Sequence, residues 1–305
     1  MNQSKNTSNH INHEKVAKVV RMAQPYLNTA TATLSLNKEI QTELYRWNQQ
    51  LPLALSMNGY EPTAFGVSLS AMLNRITWRT EGEQPYFLQQ FQRYMANFEL
   101  SLETLKHMHH VLETVQPSEL GSWISAYTDY FEIGWHISQD MPLTRALSYL
   151  EINENHDGLL SWIKTHDITE CHRFGSSLAP GDMLSEIHLS ITTETPRRTL
   201  EIGLLLFREV GLTYPPDEIL SALLLSQSTE IYASLLLGSG GMVKIGLTFP
   251  EPSTEFILRL CHSVGIENDT RLALFEGSLN TDGPVYAEFQ YFADQMDVEL
   301  HYLIM

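Results

Sequence analysis

Three short stretches of the chain place polar or charged side chains at every second position. In SEIHLSI, Glu186, His188, Ser190 and then Thr192 alternate with Ile187, Leu189 and Ile191. In TEIYASL, Glu230, Tyr232 and Ser234 alternate with Ile231, Ala233 and Leu235. In MVKIGLTF, Lys244, Gly246 and Thr248 alternate with Val243, Ile245 and Leu247. FGVSLS repeats the pattern with Gly66, Ser68 and Ser70, and YFEIGWHI with Glu132, Gly134 and His136. Arg75 and Arg79 share one face of RITWRTE. Hydroxyls, tyrosines and isolated cations on one surface are suited to holding a polar or anionic ligand. The formal net charge is -17. Any bound anion must therefore be held by a few placed cations, against the overall field.

Other candidate centres lead to blander readings. His107, His109 and His110 form the cluster KHMHH. Helical spacing brings only His107 and His110 to one side, with no carboxylate at metal-ligand spacing, which predicts a surface cluster. Gly238 to Gly241 join two strands and precede no helix, so a hairpin turn is expected and not a phosphate loop. Cys171 and Cys261 could pair or remain free thiols, and their spacing marks neither a metal site nor a disulfide framework. The acidic balance argues against nucleic acid and anionic membrane partners. There is no apolar leader and no apolar run of spanning length, so a soluble cytoplasmic chain is expected.

Those residues must be positioned by secondary structure. Hydrophobic residues make up 43% of the 305 positions, enough for a real core. Residues 1 to 12 read as a disordered tail, and 13 to 305 as one domain without a linker. LPLALSM, TAFGVSLSAM and RITWRTE read as strands, followed by one long helical stretch from QPYFLQQ to HHVLE. TDYFEIGWHIS is the next strand, then a helical segment through LLSWIK. HRFGSSL and SEIHLSI precede the helix TLEIGLLLFREVG. TEIYASLLL and MVKIGLTF precede TEFILRLCHSVG, and VYAEFQYF and DVELHYLI close the chain. Gly211 and Gly265 are helix stops.

This is an α+β pattern of antiparallel hairpins alternating with helices. A helix such as LEIGLLLF cannot stand in water, so helices must cover the apolar strand face. The polar face then lies in bulk solvent on an open sheet, or in the lumen of a closed one. Solvent-facing strands usually carry Lys, Glu and Thr in quantity. This face carries Ser, Thr, Gly, Tyr and His, which favours a lumen.

From REVGLTYPPDEILSALLLSQSTEIYASLLLGSGGMVKIGLTF, together with LSMNGYEPTAFGVSLS and the C-terminal LHYLI, the chain resembles the ABBA-type aromatic prenyltransferases. The order matches: a helix ending in R-E-x-G-L, a Pro-containing link, a helix with an acidic pair, a strand with Tyr, a short turn and a strand with a basic residue. The similarity covers roughly residues 50 to 70 and 165 to 305. It implies a closed antiparallel barrel of about ten strands with a polar lumen, ringed by helices. It also implies transfer of a prenyl group from dimethylallyl or geranyl diphosphate to an aromatic small-molecule acceptor, in secondary metabolism.

The resemblance also implies roles. Lys244, Tyr232 and His188 match diphosphate contacts, and Arg75 and Arg79 fall near an arginine ligand of the indole branch. Ser68, Thr192, Tyr302, His172 and Arg173 fall on acceptor or prenyl positions. Gly66 stands where the family has a magnesium-binding aspartate or a catalytic glutamate, so no metal and no cofactor are expected. The family's lysines on the second hairpin and last strand are replaced near Glu132 and at Val298. No catalytic base is assigned. The alternative is a repurposed barrel that holds an apolar or aromatic metabolite without turnover. The number of cations reaching the lumen separates the two.

Overall fold

The computed structural model describes residues 28, 34, 36–57, 62–70, 75–83, 86–96, 98, 102–149, 156–178, 184–266, 284–292 and 295–303. The expected N-terminal tail lies outside them. The strands are β1 (Pro62–Ser70), β2 (Ile76–Glu83), β3 (Glu119–Ala126), β4 (Phe131–Pro142), β5 (Glu170–Ser177), β6 (Ser185–Thr192), β7 (Glu230–Gly238), β8 (Gly241–Pro250), β9 (Tyr286–Phe292) and β10 (Gln295–Leu303). The sheet closes on itself in the order β1-β10-β9-β8-β7-β6-β5-β4-β3-β2, every pair antiparallel. Closure leaves no edge strand to manage.

Around it lie α1 (Lys38–Met57), α2 (Tyr86–Met95), α3 (Leu102–Val115), α4 (Leu143–Leu147), α5 (Asp157–Thr165), α6 (Pro196–Glu209), α7 (Asp217–Leu223) and α8 (Thr254–Ser263). The alternation expected of the strands holds. Val67, Leu69, Ile187, Leu189, Ile231, Leu235, Ile245 and Leu247 are fully buried against helix residues such as Phe91, Phe207 and Phe256. The core is thus a shell between barrel and helices, and the polar faces point inward. Strand ends joined as β-hairpins lie at one end of the barrel, and strand ends that lead into helices lie at the other, here termed the mouth.

Local signals explain the helix ends. Thr195 Oγ1 caps α6 by accepting from the Arg198 N–H, with Pro196 at the first turn. Gly211 (φ 79°) and Gly265 (φ 86°) follow α6 and α8 in the left-handed region that terminates helices. Gly238–Gly241 is the β7–β8 hairpin turn, as expected.

Three expectations are corrected. LPLALSM is the last part of α1, not a strand; an apolar run this short fits either element. The long helix is two helices, α2 and α3. ELGSWISA, not anticipated as a strand, is β3 and pairs with both β2 and β4. Among the described residues no helix is long and apolar enough to cross a membrane. Cys171 and Cys261 are both buried free thiols.

Candidate active site in the barrel lumen

The lumen is crowded with polar side chains, and glycines make the room. A Cβ on Gly134 would lie 2.2 Å from the Trp123 ring, so the missing side chain lets the indole lie against β4. A Cβ on Gly246 would lie 2.4 Å from Glu288 Oε1. By register, Arg75, Arg79, Arg173 and Lys244 share the inner face with Glu81, Glu132, Glu186, Glu288, Asp297 and Glu299. Carboxylates outnumber cations there, and the geometry decides which cations stay available.

Two cations are consumed. Lys244 Nζ donates to Glu288 Oε1 at 2.8 Å. Ser234 and Thr248 each donate to the other Glu288 oxygen at 3.4 Å, and His301 Nε2 stands 3.5 Å from it. Burial raises the Glu288 pKa, but Lys244, His301 and His188 together hold the carboxyl well below the usual range. Arg75 is bonded to Glu299 and donates to Gln290 Oε1 at 3.2 Å. Burial opposes ionisation of Glu299, and Arg75 together with His301 and Lys244 overcomes it, bringing the pKa to about 2. Glu288, Glu299 and His301 bring ligand atoms within 4.8 Å of one another, the spacing of a metal cluster. Lys244 and Arg75 already neutralise its two carboxylates, so a cation there would have to displace them.

Two carboxylate–histidine dyads lie on the same face. His136 Nε2 is 2.7 Å from Glu81 Oε1, to which Ser138 Oγ donates at 2.8 Å. Burial holds the His136 imidazole below its ordinary pKa, so the neutral ring donates to Glu81. His188 Nε2 is 2.8 Å from Glu186 Oε1 and 3.1 Å from Ser234 Oγ. Burial lowers the His188 pKa to about 4 against the pull of Glu186.

Arg79 and Arg173 differ from the other two cations. Arg79 donates to Ser68 Oγ at 2.5 Å, and Arg173 Nε to Ser138 Oγ at 3.2 Å. Among the described residues neither has a carboxylate oxygen within salt-bridge distance. Burial, and after Glu299's opposing pull the charge of Arg173, lower the Arg79 pKa. Both arginines line a cavity of about 90 Å³ at the mouth. Its wall also carries His172, His188, His301, Tyr232, Tyr286, Tyr302 and Thr248, and among the described residues no carboxylate. Tyr232 stacks on His172 with centroids 4.8 Å apart. Burial and Glu230 raise the Tyr232 pKa, and the protonated hydroxyl donates to Glu230 Oε1 at 3.2 Å. Two guanidiniums and several hydrogen-bond donors thus converge on one pocket in a chain of net charge -17, the groups that charge-assisted hydrogen bonding to an anion uses.

The structure therefore brings Arg79, Arg173, His172, His188 and Tyr232 together at one cavity. Ser68 is fully buried beneath Arg79. Arg75 and Lys244 point inward but are spent in ion pairs. Thr192 sits at the exposed rim, 3.3 Å from Ser190. Tyr302 is opposite Val67 in the β1–β10 register; both are buried with the apolar shell, and both also line the mouth cavity. Its neighbour His301, opposite Ser68, is the inward residue. His301, Tyr286 and Trp123 were not anticipated. Alternation in β9 and β10 carried that signal for the first two, since Tyr286, Glu288 and Gln290 share a face. Both His172 and Arg173 reach the cavity because the register shifts between Cys171 and Arg173, a bulge that re-aims side chains.

No protein-family model matches the chain. It is 24% identical over 273 residues to a PH domain-containing protein of Dictyostelium discoideum. The match takes in 85% of this chain, which spans 59% of the relative's length. Solved structures show the fold. PriB in complex with product diphosphate superposes with a TM-score of 0.64, 11% identity, and coverage of 93% of this chain and 95% of that one. The 6-dimethylallyltryptophan synthase of Micromonospora olivasterospora, in complex with DMASPP and Trp, gives 0.62 and 12% over 93% and 96%. NotF in complex with brevianamide F and DMSPP gives 0.62 and 11% over 91% of each chain. The chain has the ABBA prenyltransferase fold: a closed ten-stranded antiparallel barrel ringed by helices.

Proposed function

We propose that the barrel binds a prenyl diphosphate at its mouth and transfers the prenyl group to an aromatic small molecule. One observation carries this reading: Arg79 and Arg173 line a carboxylate-free cavity and have no counter-ion within contact among the described residues. Guanidiniums held close without a partner gain most from an anion placed between them.

In the proposed reaction the allylic C–O bond breaks and its electron pair leaves with the diphosphate. Arg79 and Arg173 neutralise the charge that develops, and Tyr232 donates to it. The faces of Tyr232 and Tyr286 stabilise the allylic cation. The acceptor ring attacks it, forming the new bond, and then loses a proton to the departed diphosphate or to water. That the neighbours in fold were solved with product diphosphate, with DMASPP and Trp, or with brevianamide F and DMSPP supports the same ligand class.

A second reading is a barrel that holds an apolar or aromatic metabolite without turnover. It is favoured by the tied-up Lys244 and Arg75, and by a cavity of about 90 Å³. Small-molecule sites commonly hold about 300–1,000 Å³. Prenyl transfer therefore requires side chains at the mouth to move apart around the donor. Thermal shift with non-hydrolysable analogues of dimethylallyl and geranyl diphosphate, followed by product assay with indole and phenol acceptors, decides between them. A ligand at a hundred times its Kd stabilises by about 2.7 kcal/mol. Stabilisation by the analogues and prenylated product support transfer. Neither of them, with stabilisation by aromatic compounds alone, establishes the second reading.

A further inference from the structure

We infer that the mouth cavity takes up its anion together with a proton, and that the imidazole of His188 carries it. The inference rests on the anion-binding reading above. Two guanidiniums face the cavity, whereas a diphosphate ester brings roughly three negative charges at neutral pH. The remaining charge must be met in a lumen where carboxylates already outnumber cations, and the groups on the wall able to take up a proton are imidazoles.

His188 is the imidazole best placed. Its Nε2 faces Glu186 Oε1 at 2.8 Å, on the same strand. That carboxylate stands ready to stabilise an imidazolium. From β7, Ser234 Oγ lies 3.1 Å away. From β5, Arg173 is opposite His188 in register and opposes its protonation. From β9, Glu288 favours it weakly, being neutralised by Lys244. Arg79, on β2, acts on Glu186. An anion beside Arg173 cancels the repulsion that now opposes a proton on His188. It also compensates part of the burial cost, since it is itself the counter-charge.

The other two wall histidines lack this arrangement. His172 is a third exposed and paired to Asp140 at the rim. His301 faces Glu288, whose charge Lys244 already meets. Thermodynamic linkage then fixes the sign. If the bound state holds one more proton, affinity rises as pH falls.

The test is calorimetric titration of the full chain with inorganic pyrophosphate, in buffers of different ionisation enthalpy, between pH 7.5 and 5. Wild type and His188→Gln are compared, so that protons taken up by pyrophosphate itself cancel. Wild type should take up about one more proton than the variant, and its Kd should fall more steeply, approaching about tenfold per pH unit. Glu186→Gln, which keeps the shape but removes the carboxylate behind the ring, should lose much of the same excess. It answers the question if His188→Gln does not fold. Equal proton uptake in wild type and both variants, with pyrophosphate bound, overturns the inference and leaves the anion site standing. Failure of wild type to bind pyrophosphate at any pH overturns both.

Discussion

Lys244 Nζ lies 2.8 Å from Glu288 Oε1, and both side chains are buried inside the barrel. The β8 cation is therefore a structural partner before it can be a ligand. Gly246, one alternate position along β8, leaves the space into which the Glu288 carboxyl fits.

Lys244→Ala should lower stability more than it alters anion binding. Breaking a buried pair from one side leaves an uncompensated charge and costs about 3–5 kcal/mol. Chemical denaturation checks this. The opposite pattern, with stability retained and donor affinity collapsed, would place the ammonium in the anion site.

Arg79→Ala and Arg173→Ala should do the reverse. Each removes a charged donor worth about 1.5–3 kcal/mol to a bound anion, so pyrophosphate affinity should drop by more than tenfold. Melting temperature should hold or rise, because no ion pair is broken. Calorimetry and thermal melts on the same samples give both numbers. Unchanged affinity in both variants would remove these arginines from the site.

Acid should weaken the barrel around Glu299. Against burial, Arg75, with His301 and Lys244, depresses the Glu299 pKa to about 2. A depressed carboxylate contributes stability that is fully present above its unfolded pKa of about 4.3 and is lost as pH falls through the folded value. Up to about 3 kcal/mol should therefore disappear between pH 4.5 and 2. Glu299→Gln should flatten this acid limb of a stability–pH curve. An acid limb identical to wild type would mean that the pair contributes nothing on balance.

Gly246→Ala should strain the same pair. The added Cβ would stand 2.4 Å from Glu288 Oε1, so the carboxyl must shift away from Lys244. Overpacking of this kind costs about 1–3 kcal/mol. Gly66→Ala is the control, since its nearest contact would be 3.5 Å from the Tyr302 carbonyl oxygen. Equal melting temperatures for the two variants would show that Glu288 has room to move.

Much of this molecule is written in strand alternation. Period-two patterns in β1, β4, β6, β7 and β8 assign inner and outer faces, because each apolar set must be buried and each polar set must not. That is enough to argue for a helix-covered barrel and to put His188, Tyr232 and Lys244 on its inner face. β3 escaped because its inward set contains Trp123 and its outward set contains Ser122, which blurs the pattern. LPLALSM escaped because a short apolar run has no period to read. Tyr302 escaped because β10 alternates Glu299 and His301 with Leu300 and Tyr302, and a tyrosine suits either face.

What tertiary structure alone decided is which charges are free. Alternation puts Lys244 on the inner face, and Arg75 and Arg79 on one shared strand face. It cannot show that Lys244 meets Glu288 across 44 positions, that Arg75 meets Glu299 across 224, or that Arg79 and Arg173 meet no carboxylate among the described residues. Ion pairing falls off over a few ångströms, whereas chain separation is blind to distance once a sheet closes. The bulge that turns both His172 and Arg173 to the mouth is likewise a property of paired strands, since a register shift exists only between two of them.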